Sequence, residues 1–159
     1  MKFNRNYVLA ATVGAVAIGG FAPLAFGSPG SGLTSTVLVT ANFDDAVHLN
    51  TGGVKFQTKD PTDVRVQQFV FSAGANSGWH HHPGLVLIAV QSGSVTFWDS
   101  QCNTKTYGPG LPNGAVLIDG DDTPGRVTST DGATTYVTYV VPKASPPVFR
   151  IEDDPPPCA

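Results

Sequence analysis

The chain has 159 residues, which is room for one domain. Only 13% of them are charged, and the 18 glycines and 13 prolines favour short strands joined by tight turns over a helical bundle with charged surfaces. The formal net charge of −3 leaves no excess of basic residues for binding nucleic acid, which we therefore exclude as a partner.

Residues 1–27 have the pattern of a secretory signal peptide. Lys2 and Arg5 make its start positive, the stretch 7–18 is apolar, and residues 25–27 form a small-x-small cleavage site before Ser28. The alternative is an uncleaved membrane anchor. It is disfavoured because glycines and a proline end the apolar run before the roughly 20 residues that a span requires. We predict a secreted protein with no membrane attachment after cleavage, whose loss of two basic residues changes the net charge from −3 to −5.

The remainder is predicted to be one all-β domain. Residues 28–32 are Gly, Ser and Pro and should form a flexible lead, and the domain proper should span 33–159 with a Pro-rich tail. Runs rich in Val, Thr and aromatic residues alternate with Gly- and Pro-containing turns, at 36–40, 54–57, 64–71, 85–91, 95–98, 115–118 and 135–141. Such spacing predicts a closed barrel or a sandwich, since an open sheet would leave unpaired edges. An immunoglobulin-type sandwich is disfavoured because both tryptophans precede Cys102.

Three of the four histidines lie together in the segment 78–84, Gly-Trp-His-His-His-Pro-Gly. If this segment is extended, His80 and His82 project to one face and His81 to the other. Two neutral imidazoles on one face can share a divalent transition metal such as Zn, Mn, Fe, Ni or Cu. His48 is isolated in the sequence and is expected to be structural.

This segment resembles the first motif of the cupin superfamily, in which a glycine precedes His-x-His and a second glycine follows. The matching residues are Gly74 or Gly78, His80, His82 and Gly93, and the segments 79–84, 107–110 and 136–142 are similar to small exported bacterial cupins. The resemblance covers roughly residues 64–142. It implies a double-stranded β-helix, or jelly-roll barrel, with an internal pocket, a small-molecule ligand and a homodimer.

The sequence departs from the cupin motifs at two metal ligands. Val86 and Leu87 stand where the first motif has a glutamate, and no histidine follows His82. The standard three-histidine, one-glutamate site therefore cannot form. An aspartate near the place of the missing histidine would give a two-histidine, one-carboxylate set, so the predicted ligands are His80 and His82 with Asp121 or Asp122, or with the nearby Asp119. The alternative is that the histidines form hydrogen bonds in a pocket without metal, and that the paired aspartates belong to a turn.

Two further pairs of residues carry predictions. Trp79 and Phe97 are candidates for an aromatic wall of the ligand pocket, with ordinary core packing as the alternative. Cys102 and Cys158 are the only cysteines, and export favours a disulfide that would tie the Pro-rich tail to the body and stabilise the fold by about 4 kcal/mol. Two free thiols, or a soft metal site, are the alternative.

Three functions follow from these patterns. The first is an exported cupin-like protein that binds a small molecule, with a weakly held divalent metal on His80 and His82. The second is a metal-dependent oxygenase or isomerase, in which an aspartate completes the metal site. The third is a non-enzymatic module of the cell envelope. The missing second-motif histidine favours the first and third.

Overall fold

The computed structural model describes residues 29–157, so the predicted signal segment, Ser28 and Cys158 lie outside the described part of the chain. Within that range the backbone forms strands and turns without a helix, and hence no helix there could cross a membrane. The strands are β1 (Ser31–Phe43), β2 (His48–Thr51), β3 (Val54–Gln57), β4 (Thr62–Asn76), β5 (His80–His81), β6 (Leu85–Gly93), β7 (Val95–Trp98), β8 (Thr104–Tyr107), β9 (Val116–Asp119), β10 (Arg126–Ser129), β11 (Ala133–Pro142) and β12 (Ile151–Glu152). The predicted all-β class is confirmed.

Eight of these strands form one antiparallel sheet in the order β8-β7-β10-β4-β11-β6-β9, with β1 attached to β4. The sheet curves into a nearly closed barrel. The other strands form two small pairs, the hairpin β2–β3 and the pair β5–β12. The second pair matters for the site, because it joins the histidine segment to the C-terminal end of the described chain.

Strand β4 connects the two parts of the barrel. Its residues 62–71 pair with both β1 and β11, whereas Ala75 and Asn76 pair with β10. Between these stretches lies Gly74, whose φ of 75° is a conformation that side chains disfavour, and its N–H donates to the carbonyl of Thr130. This local turn lets one strand change partners and continue.

The core follows the period-two alternation of the central strands. Along β11 the side chains of Ala133, Thr135, Val137, Tyr139 and Val141 are buried in alternation with partly exposed neighbours. Val86, Val95 and Val141 are completely buried. Each β-type run predicted from the sequence overlaps a strand, and 54–57 and 95–98 match β3 and β7 at both ends, whereas 115–118 starts and ends one residue before β9.

The predicted lead ends earlier than expected, because β1 already begins at Ser31. Ser31 pairs with Asn76, since β4 continues beyond its turn and offers backbone partners there. Composition alone predicts a flexible lead here, but the backbone partners that β4 provides extend the strand to Ser31.

Candidate ligand-binding site

The barrel encloses a cavity of 480 Å³, which is within the range of about 300–1,000 Å³ typical of small-molecule sites. One part of its wall is apolar and includes Leu33, Phe69, Phe71, Val86, Ile88, Val127, Val137 and Phe149. The polar part includes Ser35, Arg65, Gln67, Ser77, His80, His82, Asp119, Thr135, Tyr139, Arg150 and Glu152. Ligand sites combine apolar side chains with polar groups that fix the orientation of the ligand, and this cavity has both.

His80 and His82 enter this cavity together. Their rings lie edge to face, with centroids 4.8 Å apart and planes at 88°. His81 points elsewhere, and its Nδ1–H donates a hydrogen bond to Oδ2 of Asp153 at 2.8 Å. The predicted alternation of the three imidazoles is confirmed, because the segment is extended and β5 pairs with β12.

Hydrogen bonds fix which ring nitrogen of each histidine faces the cavity. The Nδ1–H of His80 donates to the carbonyl of Gly78 at 2.9 Å, and that of His82 donates to the carbonyl of Phe149 at 2.6 Å. A carbonyl only accepts, so the proton must reside on Nδ1 and the Nε2 lone pair is left for another partner. Burial lowers the pKa of His80 to about 3 and also lowers the pKa of His82, so both rings are neutral near pH 7.

Asp119, at the end of β9, is the carboxylate beside His82. Its Oδ2 lies 3.8 Å from Nε2 of His82, too far for a direct hydrogen bond, and both side chains are buried. Burial raises the pKa of Asp119, although the nearby His82 opposes this. If Asp119 is ionised, its Oδ2 and the Nε2 of His82 are both hydrogen-bond acceptors. A proton, a water or a cation is then needed between them.

The donor types fit a metal only in part. The two imidazoles have the tautomer and the Nδ1 hydrogen bonds that metal-binding histidines usually have. Among residues 29–157, however, no group of three or more His, Cys, Asp or Glu side chains is arranged to hold a metal ion. The site does not fit a resident, three-ligand metal, and two imidazoles alone would bind one weakly.

The predicted carboxylates Asp121 and Asp122 lie outside the cavity wall. Both are exposed in the turn between β9 and β10, where Asp121 accepts hydrogen bonds from Thr123 and Asp122 has a φ of 57°. They follow Gly120, whose φ of 106° is a conformation that other residues disfavour. The structure therefore brings Asp119 to His82 instead, and ligation by Asp121 or Asp122 stays a prediction that this placement disfavours.

Trp79 and Phe97 also lie apart from the cavity lining. Trp79 is almost fully buried, with the guanidinium of Arg126 above its ring at 4.9 Å. Phe97 packs against the hydrophobic core and against Gly125. The core-packing alternative describes both residues, and Phe69, Phe71, Tyr139 and Phe149 form the aromatic part of the cavity wall.

The sequence analysis missed the C-terminal contribution to the site. Phe149 packs on Tyr139, with ring centroids 5.7 Å apart, and Arg150 donates to the carbonyl of Ser77 and pairs with Glu152. The sequence gives only a weak signal for this C-terminal segment, because it follows three prolines between positions 142 and 147 and has no β-type pattern. Arg65 was also missed, although it shares a strand face with Gln67, Phe69 and Phe71, where a charge is unexpected.

No protein-family model and no curated protein matches this chain. Solved structures do resemble it. The cupin-2 domain protein Rru_A2000 of Rhodospirillum rubrum superposes with a TM-score of 0.51 at 9% identity, over 79% of this chain and 68% of that one. The chain has the cupin fold.

Two more solved structures resemble the chain. The polyketide cyclase RemF of Streptomyces resistomycificus gives a TM-score of 0.51 at 18% identity and covers 80% of this chain and 79% of its own. The conserved SPY1581 protein of Streptococcus pyogenes, of unknown function, gives 0.50 at 16% identity over 70% and 76%. At such identities the likeness concerns the fold alone, so the function must be argued from the cavity.

Proposed function

We propose that this chain is an exported cupin-fold protein that binds a small molecule inside its barrel. The observation that carries the proposal is the 480 Å³ cavity, in which an apolar wall faces buried polar groups. Export rests on the pattern of residues 1–27.

A matched pair of variants on β1 tests the cavity. Ser35 lines it, whereas the next residue, Thr36, belongs to the opposite face of the strand. The neutral fluorescent probe N-phenyl-1-naphthylamine should bind the wild-type protein with a stoichiometry of one. Ser35→Trp should block that binding and Thr36→Trp should leave it intact. Equal binding by both variants, or no binding by the wild type, would contradict the proposal.

Export and the predicted disulfide have direct tests. Full-length protein expressed in a secreting host should be recovered outside the cell with a mass that begins at Ser28. Titration of the unfolded, unreduced protein should find no free thiol if Cys102 and Cys158 are bridged. A retained protein of full mass would refute export, and two titratable thiols would refute the bridge.

The metal part of the proposal is a weak, exchangeable site on His80 and His82. It is supported by the two Nε2 lone pairs that the Nδ1 hydrogen bonds leave free. Titration with Zn²⁺ or Mn²⁺ should give binding that His80→Ala and His82→Ala both abolish, and Asp119→Asn should weaken it more than Asp121→Asn. Binding that survives both histidine variants would dismiss this site.

The oxygenase or isomerase alternative needs a metal that stays bound during turnover. No three-ligand arrangement occurs among residues 29–157, so the binding function is favoured over the catalytic one. Oxygen uptake by the metal-loaded protein on a panel of organic acids would reverse that preference.

A further inference from the structure

Arg65 is the feature of the cavity that the proposed function leaves unexplained. It lies on β4, between Thr40 of β1 and Tyr139 of β11, and lines the cavity. Its guanidinium lies 3.8 Å from the ring centroid of Phe149, and its Nε donates to the hydroxyl of Thr40 at 3.3 Å. The remaining N–H groups of the guanidinium are not used by any carboxylate of the described chain.

The other arginine of the cavity wall already has a counter-ion. Arg150 is held by Glu152 through both of its carboxylate oxygens. Asp119 faces His82, and the salt bridges among residues 29–157 do not include Arg65. Arg65 therefore contributes a positive charge to the cavity without a protein counter-ion.

A second group in the same wall lacks a partner. The hydroxyl of Thr135 is buried and forms no hydrogen bond with any described residue, and Thr135 is only 1% exposed. It lies on β11 opposite Phe69 of β4 and lines the cavity. A buried hydroxyl without a partner is unfavourable. Because this oxygen has almost no accessible surface, however, the polar group of a ligand is assigned to Arg65 alone.

We propose, building on the small-molecule function above, that the ligand is a small organic acid whose carboxylate binds Arg65. A guanidinium offers two parallel N–H donors in the geometry that a carboxylate accepts. The apolar body of the acid packs against Phe69, Phe71 and Val137 of the cavity wall. This assigns the ligand class from charge and shape and requires no metal.

Isosteric probes test the ligand class on the wild-type protein. Benzoate and benzamide, or cinnamate and cinnamamide, have nearly the same shape but differ in charge. Each is used to displace N-phenyl-1-naphthylamine, which is neutral. Carboxylates should displace it at concentrations at least tenfold lower than their amides. Amides that compete as well as the acids would overturn the inference while leaving the proposed function standing.

A matched pair of variants then tests the role of Arg65. Arg65→Gln should weaken carboxylate binding roughly tenfold to a hundredfold, the range expected for a hydrogen bond to a charged group. It should weaken binding of the neutral probe and of the amides much less than binding of the carboxylates. Lys105→Gln removes one positive charge from an exposed position on β8, outside the cavity wall, and should change neither.

The outcomes separate the two proposals. If the neutral probe binds but Arg65→Gln leaves carboxylate affinity intact, Arg65 is merely a solvated arginine and the inference is wrong. If no probe binds to the wild type, both proposals fail. If Arg65→Gln does not fold, Arg65→Lys is used instead, because lysine keeps the charge but lacks the two parallel N–H donors. Arg65→Lys should bind carboxylates less tightly than the wild type, and equal affinity would refute the role of the paired donors.

Discussion

Strands β11 and β1 pair with the same stretch of β4, on its two edges, yet only β11 becomes part of the core. Alternate side chains of β11 are buried, whereas β1 is exposed along its length except at Leu33, which is half-buried. Backbone pairing is nearly the same for the two strands. Pairing therefore positions a strand, and burial depends on what covers its faces.

The covering of β11 comes from two sources. On its far edge it pairs with β6, and its inner face meets the C-terminal segment, where Phe149 packs on Tyr139. Strand β1 has only β4 beside it among the described strands, so it is an edge, and Val37, Leu38 and Val39 are about half exposed. Both strands line the cavity, but Val137 and Tyr139 of β11 are buried there, whereas Ser35 of β1 is exposed.

The largest expected change in stability comes from replacing one valine in each strand with aspartate. Val141 of β11 is completely buried across from the buried Asp63, while Val39 of β1 is 50% exposed. Val141→Asp should lower the free energy of unfolding by about 3–5 kcal/mol, because it buries a charge without a counter-ion. Val39→Asp should change it by about 0.5 kcal/mol or less. Urea unfolding measures both, and similar losses would show that β1 is covered in solution.

A somewhat smaller effect should follow acidification. Burial lowers the pKa of His80 from 6.5 to about 3. Between these pH values the imidazole is protonated in the unfolded chain and neutral in the folded protein. The free energy of unfolding should thus fall as the pH drops. His80 alone should contribute about 3 kcal/mol between pH 7 and pH 4, at ~1.4 kcal/mol for each unit. The lowered pKa of His82 acts in the same direction, and the raised pKa of Asp119 opposes it.

Two histidine variants check the origin of that acid effect. His80→Gln should have a shallower loss of stability between pH 7 and pH 4, measured by urea unfolding at each pH. His48→Gln removes an exposed histidine from the β2–β3 hairpin and should keep the wild-type pH dependence. Parallel curves for all three proteins would assign the acid sensitivity to groups other than His80.

The strands that the sequence predicts are those whose own residues favour strands. Runs rich in Val, Phe and Trp, such as 95–98, can be recognised locally. Strands β8 and β12 cannot, because Thr104–Tyr107 has no aliphatic residue and Ile151–Glu152 has only two residues. Each is a strand because a partner, β7 or β5, provides hydrogen bonds.

The candidate site could likewise be predicted only where it depends on local sequence. The His-x-His alternation is a property of one extended segment, so His80 and His82 could be placed together from their spacing. The choice of Asp119 depends on the β6–β9 register, in which Asp119 lies opposite Val86. Sequence proximity could not separate it from Asp121 and Asp122. The entry of Phe149 and Arg150 depends on a chain reversal far from the histidines in sequence.

The smallest effect concerns how the C-terminal segment is held on the covered side. Asp153 pairs with His81 and its N–H donates to the carbonyl of Trp79, whereas the side chain of Asp154 is exposed and has no ion pair within the described chain. Asp153→Ala should lower the free energy of unfolding by about 1 kcal/mol or less, as partly exposed pairs do. It should also speed hydrogen exchange at the amide of residue 153, which donates to the carbonyl of Trp79, more than at β11. Asp154→Ala removes the same charge one residue later and should do neither. If both variants behave alike, net charge rather than the His81 contact holds the segment, and the cover over the cavity depends on Phe149 and Arg150 alone.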